Sequence, residues 1–383
     1  MRLHTLIRFF QGCRPGIILL LLTLLFLYAY ELAGAAGEEC RTQSYQDKIP
    51  CYKQVFERII QTQGTEQALD TLQQLASVDP DVRRESHPYA HHIGRFTASH
   101  YRDVTLAFTH CKDTFASGCY HGVLEGYLSA FTQLEPSHVS SVCSGKMDPQ
   151  RSVFLKFLCV HGLGHGLTMY FHHDLFKALT FCDALPTARD QEICYAGVFM
   201  ENIVTFIGRD HAAHSTHAAY LDPHNLLYPC TVVDRRYQQA CYLMQSSAIL
   251  PLTNYDFPRA FRECDKAPPD LIATCYQSMG RDASGFALTN PEKTRTLCLM
   301  GRQDYIGQCF SGAAKDAIYV HADPQRGIAL CRIADGPYKA DCYTGVRDFL
   351  VDFYADQKKQ DQACRMVEEA YQSICRGMPR ARR

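Results

Sequence analysis

Between Pro258 and Ala287 the apolar side chains return in two short helical phrases separated by a break. Ala260, Phe261 and Cys264 share one side of a first helix, Pro268, Pro269 and Asp270 stop it, and Leu271, Cys275, Tyr276 and Met279 share one side of a second. The phrase then repeats. Pro258, Pro291 and Pro324 stand 33 residues apart, each beside or near a capping residue (Asp256, Asn290, Asp323), as expected for proline in a first helical turn. An aromatic residue follows the second cysteine of successive units, at Tyr120, Tyr195, Tyr242, Tyr276, Phe310 and Tyr343, and is read as the knob that fills the seam between neighbouring hairpins.

The cysteines set the period. Of 19, all but Cys13 fall into close pairs: Cys40 with Cys51, Cys111 with Cys119, Cys143 with Cys159, Cys182 with Cys194, Cys230 with Cys241, Cys264 with Cys275, Cys298 with Cys309, Cys331 with Cys342 and Cys364 with Cys375. The last five pairs recur after 34, 34, 33 and 33 residues, the length of a helical hairpin that stacks on its neighbours. One cysteine near the end of the first helix and one early in the second can meet when the two pack antiparallel, so the spacing predicts a disulfide within each hairpin. In the chain-entropy description each such bridge contributes roughly 3 kcal/mol. The expected fold is therefore all-α, an α-solenoid of disulfide-stapled hairpins, with histidine-rich repeats over 38–228 and regular C-x10-C repeats over 229–383.

The chain from about Cys182 to Cys375 resembles the cysteine-rich Sel1-like and tetratricopeptide helical repeats of secreted bacterial proteins in its period and its hairpin-stapling cysteines. The resemblance implies an extended, curved array with a surface for a protein or peptide partner, and it transfers no catalytic residue.

Residues 1–37 have the layout of a targeting segment. Arg2, Arg8 and Arg14 precede an apolar run from Ile17 to Tyr30, and small residues Ala33 to Ala36 follow. Cleaved, this is a secretory signal peptide; uncleaved, it is a single transmembrane anchor with its basic flank inside. Both place the remainder outside the cytosol, secreted, periplasmic or membrane-anchored, where paired thiols persist. Cys13 falls on the cytosolic side, so the exported part has an even count. A formal charge of −1 argues against a nucleic-acid or strongly acidic partner, and Arg376, Arg380, Arg382 and Arg383 are read as a small solvated tail.

Most of the 17 histidines lie between His87 and His217. AHHIGRF (from Ala90), CYHGVLE (from Cys119) and CVHGLGH (from Cys159) align, which sets His92, His121 and His161 in equivalent places with Glu125 and His165 one turn later. Side chains four apart share a helix face, so His121 with Glu125 and His161 with His165 make two ligand-bearing stripes. With packed helices 8–10 Å apart, two neighbours can share an ion while three equivalent positions span too far. The expected metal set is thus His121, Glu125, His161 and His165, with His91 or His92 as an alternative ligand or groove lining. Imidazole with carboxylate suits zinc, copper, iron or nickel. Gly162, Gly164 and Gly166 inside a helix each cost up to about 1 kcal/mol, which a close neighbouring helix or ligand must offset.

A second cluster, His211, His214 and His217 after Asp210, lies in an extra segment between Glu201 and Cys230 that could cover the groove; His172, His173 and Asp174 stand elsewhere. No nucleophile elbow, phosphate-cradling loop or covalent haem motif occurs, so no nucleotide or covalent haem is expected. Three functions follow as alternatives: a binding scaffold with a metal site; a metal-dependent hydrolytic or oxidative enzyme with its active site in the groove of His121, Glu125, His161 and His165 and with Glu125 or a histidine as proton carrier; and a structural module of the envelope without metal.

Overall fold

The computed structural model describes residues 37–377 apart from 113, 116, 145–151, 208–219, 322 and 355. The expected leader over 1–37 lies outside the described residues except for Gly37, as do His211, His214, His217 and the arginines at the extreme C-terminus. Among the described residues the chain is helical and contains no strand.

The second helices of successive units are numbered here α1 (Tyr45–Gln63), α2 (Ser86–Tyr101), α3 (Gly118–Ser129), α4 (Ser152–Tyr170), α5 (Ala188–Ile207), α6 (Arg235–Met244), α7 (Ile272–Phe286), α8 (Ile306–His321), α9 (Lys339–Phe353) and α10 (Gln372–Cys375). Each packs on the next in chain order. The shorter first helices start where the sequence marks them: the side chains of Asp256, Asn290 and Asp323 accept from the backbone N–H of Arg259, Lys293 and Gln325 at 2.9–3.0 Å. Asp174 caps Leu175–Cys182 in the same way, and His172 and His173 before it adopt left-handed backbone. Asn254–Tyr255 and Leu288–Thr289 repeat that left-handed pair ahead of the next caps. His172, His173 and Asp174 are thus a turn and its cap.

All nine predicted disulfides are present, each joining neighbours in sequence. In the first four units Cys40 bonds to Cys51, Cys111 to Cys119, Cys143 to Cys159 and Cys182 to Cys194. In the regular units Cys230 bonds to Cys241, Cys264 to Cys275, Cys298 to Cys309, Cys331 to Cys342 and Cys364 to Cys375. Cys241 and Cys342 are fully buried within α6 and α9, whereas Cys51 on α1 is only partly buried. Sequence separations run from 8 for Cys111–Cys119 to 16 for Cys143–Cys159, yet the Cα–Cα distances stay at 5.6 and 5.8 Å. The connecting loop varies and the separation of the bridged backbones does not. So many disulfides belong to an oxidising, extracellular environment. The aromatic knobs are buried, from Tyr120 to Tyr343. Several also tie their hairpin a second time: the hydroxyls of Tyr195 and Tyr276 donate to Asp183 and Asp265, each one residue beyond the first cysteine, at 2.5 and 3.0 Å.

The array does not stay extended. α9 touches α4, Phe154 meets Phe353 and Tyr319 with ring centroids 4.8 and 6.2 Å apart, Tyr319 donates to Ser117 Oγ at 3.2 Å, and Arg189 pairs with Asp352. The chain turns back so that its later units rest on its earlier ones. Among the described residues no helix is long and apolar enough to cross a membrane.

Glycines set the closest contacts between second helices. A Cβ at Gly122 would overlap the carbonyl oxygen of His91, and one at Gly94 that of Cys119; Gly197 with His161 and Gly164 with Cys194 repeat the reciprocal arrangement, as do Gly312 with Gln277 and Gly280 with Cys309. Gly166 faces Leu124 and Leu128. The unusual glycines of HGLGHG therefore serve helix approach. Gly312→Ala is expected to lower the unfolding free energy by about 1–3 kcal/mol, because backbone must move to admit the methyl group. Gly285→Ala, in the same stack but with open space around it, should gain up to about 1 kcal/mol from helix propensity. Urea unfolding with disulfides intact measures both; equal effects would refute the packing role.

Candidate metal centre

The close approach of α2, α3 and α4 brings five histidines together. His87 and His91 project from α2, His121 from α3, and His161 and His165 from α4, forming two groups of three that share His121: His87, His91 and His121, and His121, His161 and His165, with candidate ligand atoms within 4.8 Å of one another in each. His121 is 2% exposed and His165 1%. Each group draws on two neighbouring helices, α2 with α3 and α3 with α4, in keeping with the expectation that two neighbours can share an ion, and His121 on α3 belongs to both.

The donor set differs from the sequence expectation in three residues. His92 does not join: its Nε2 lies 2.9 Å from Glu57 Oε1 on α1. Neighbours on a helix point about 100° apart, so only one of His91 and His92 can face α3. The packing register selects His91, because Gly94 and Gly164, three residues beyond His91 and His161, make the same contact with the following helix. Glu125 does not converge with His121, His161 and His165. Its Oε1 accepts from His91 Nδ1 at 2.6 Å and Oε2 from Arg95. Although burial works against the charge, His91 and Arg95 hold the Glu125 carboxyl down to about 2. The ionised Glu125 carboxylate accepts from His91 and Arg95 and so orients the His91 ring.

Two members were missed from sequence. His87 precedes His91 by four residues on one helix face, a spacing visible in HPYAH. Glu201 stands seven residues after Cys194, nearly where Glu125 stands after Cys119, and its Oε2 accepts from His165 Nδ1 at 2.8 Å.

The anchoring partners decide the protonation of the rings. Phe115, in a left-handed turn, presents its carbonyl oxygen 2.7 Å from His87 Nδ1. A carbonyl and an ionised carboxylate only accept, so the Nδ1 atoms of His87, His91 and His165 carry protons. Their Nε2 atoms then face inward: His87 Nε2 and His91 Nε2 are 3.0 Å apart, and His161 Nε2 and His165 Nε2 are 3.3 Å apart. Between His87 and His91, both protonated at Nδ1, such an approach calls for a shared proton or a metal ion, whereas between His161 and His165 a neutral N–H···N hydrogen bond from His161 also satisfies the contact. Two imidazoles on tetrahedral zinc, at Zn–N of about 2.0–2.1 Å, have nitrogens about 3.3 Å apart. Carbonyl or carboxylate acceptors behind ligating histidines are the usual outer support of such ions.

Burial favours neutral rings. It pushes His87 down to about 4, with His91 adding to the effect, and His161 down to about 3, with His165 adding to it; His121 lies well below the ordinary value, from burial and then its four histidine neighbours. A cavity of about 810 Å³ is lined among others by Arg95, Tyr170, Phe171, Lys177 and Glu125, the partner of His91.

Compared with protein-family models, curated proteins and solved structures, the chain matches none.

The metal-free protein should lose stability as pH falls from 7 to 4.5. Over that interval the unfolded chain protonates His87, His121 and His161 near 6.5 while the folded chain does not, so unfolding takes up protons and becomes easier. Burial raises the Asp316 carboxyl to about 6, which acts in the opposite sense. Three histidines outweigh one carboxyl, leaving a net loss on the order of 5 kcal/mol at 1.36 kcal/mol per pH unit and group. Urea unfolding in chelator at both pH values checks this; an unchanged or higher stability at pH 4.5 would contradict neutral burial.

Proposed function

We propose that this protein is an exported α-solenoid of disulfide-stapled hairpins, curled on itself, that works as a scaffold holding a transition-metal centre among His87, His91, His121, His161 and His165. The observation that carries the reading is the inward pairing of Nε2 atoms at 3.0 and 3.3 Å, with the outward nitrogens of His87, His91 and His165 committed to Phe115, Glu125 and Glu201. The His87 and His91 nitrogens facing each other this closely, behind rings oriented by acceptors, with a second histidine pair alongside, fit ion binding better than core packing, which has no need to oppose two lone pairs. The all-imidazole inner set suits zinc, copper, iron or nickel. Cysteine takes no part, since each exported thiol is committed to a disulfide.

The location follows from the same chemistry. Paired thiols support an oxidising compartment, and the segment before Gly37 carries the signal that would deliver the chain there, as a secreted, periplasmic or anchored protein. Metal analysis of protein purified without a histidine tag and with disulfides intact is expected to find bound metal, or uptake of zinc, copper, iron or nickel. The double variant His161→Ala, His165→Ala should lose at least half of that capacity while keeping its helical circular dichroism. Wild-type protein that neither carries nor takes up any of the four metals would overturn the reading.

A further inference from the structure

We propose that the cluster holds two metal ions joined through the imidazole ring of His121, which bridges them as imidazolate. The inference rests on the metal-binding reading above and adds the number of ions and the bond between them.

The distinguishing observation is the isolation of His121. His87, His91 and His165 each have an acceptor behind the ring, and His161 hydrogen-bonds the backbone of Ile193. His121 alone among the five has both ring nitrogens buried with no hydrogen-bond partner. A neutral imidazole brings one N–H donor and one lone pair, and burying both unpaired is unfavourable. A single bound ion would satisfy one nitrogen and leave the other orphaned. Two ions, one at each nitrogen, satisfy both.

The surroundings are arranged for that outcome. Two pairs of histidines surround the His121 ring: His87 and His91 at centroid distances of 6.0 and 5.3 Å, and His161 and His165 at 5.5 and 4.7 Å, with His91 and His165 themselves 5.9 Å apart. Each pair is spaced four residues apart on one helix. Each is backed by a carboxylate from the following helix, Glu125 for the first and Glu201 for the second. The two halves are copies of one device, α2 with α3 and α4 with α5, and His121 is the residue that belongs to both. Each ion would receive two histidines from its own pair and one nitrogen of the shared ring. On binding the second ion, the His121 N–H bond breaks, a metal–nitrogen bond forms, and the proton leaves to solvent; no oxidation is involved.

Copper(II) is a suitable probe, because two copper(II) spins joined by imidazolate couple and lose paramagnetic intensity. Metal-free, tag-free full-length protein titrated with copper(II) is expected to bind two equivalents, and at saturation its integrated electron paramagnetic resonance should fall below half of the copper present. His87→Gln should reduce the bound copper to one equivalent with full intensity. One equivalent at saturation of wild-type protein, or two with full intensity, would overturn the bridge and leave the metal-binding reading intact. No bound copper, with zinc, iron and nickel also refused, would overturn both.

Discussion

Where two second helices cross, the carbonyl oxygen of one rests against the bare Cα of the next, and the interior of this protein depends on that contact. A side chain at Gly94 or Gly122 would hold α2 and α3 apart, one at Gly164 or Gly197 would hold α4 and α5 apart, and Gly162 and Gly166 on α4 lie against His121, Leu124 and Leu128 of α3. At ordinary spacing the histidines of α2 and α4 could not both reach a ring on α3. The helix-propensity cost of several glycines is therefore offset by interhelical packing, and the same packing creates a place where imidazoles from three helices face one another. Disulfides fix each hairpin but do not bring hairpins together; that second task belongs to the glycines.

The later repeats carry the same device with different chemistry. Gly280 and Gly312 pack on the carbonyls of Cys309 and Gln277, which makes Gln277 the counterpart of His161 and Arg281 that of His165. Arg281 spends its guanidinium on the Leu243 carbonyl and Ser247. One backbone geometry thus supports an imidazole centre in one half and a neutral or cationic network in the other, with the difference confined to the side chains one turn apart at these positions.

Much of the architecture was legible because the signals were covalent or periodic. Cysteine spacing foretold each bridge, from Cys40 with Cys51 to Cys364 with Cys375, and proline beside aspartate or asparagine foretold where Phe257–Cys264, Pro291–Cys298 and Pro324–Ile333 begin. His91, His121, His161 and His165 were named as candidates, and the structure unites them. Aligning Ala90 with the cysteines selects His92, whereas the packing puts His91 level with His161; Glu125, one turn after His121, turns instead to His91 and Arg95. Register between helices is set by glycine contacts that a one-dimensional alignment does not contain. His87 and Glu201 were missed for a related reason: their roles arise from residues on other elements, Phe115 in a loop and His165 on the preceding helix. The turning back of the array was not foreseen either, since contacts such as Tyr319 with Ser117 span 202 residues.

That last contact limits how the protein can vary. A string of repeats that touches only nearest neighbours can gain or lose a unit and still be whole. Here Tyr319 and Phe353 lie against Ser117 and Phe154, so adding or removing a hairpin between them would carry one partner away from the other. Fraying from the C-terminal end would likewise have to break these contacts before it could spread. The number of units is thereby fixed by geometry, as in a closed arch whose stones cannot be recounted without rebuilding the span.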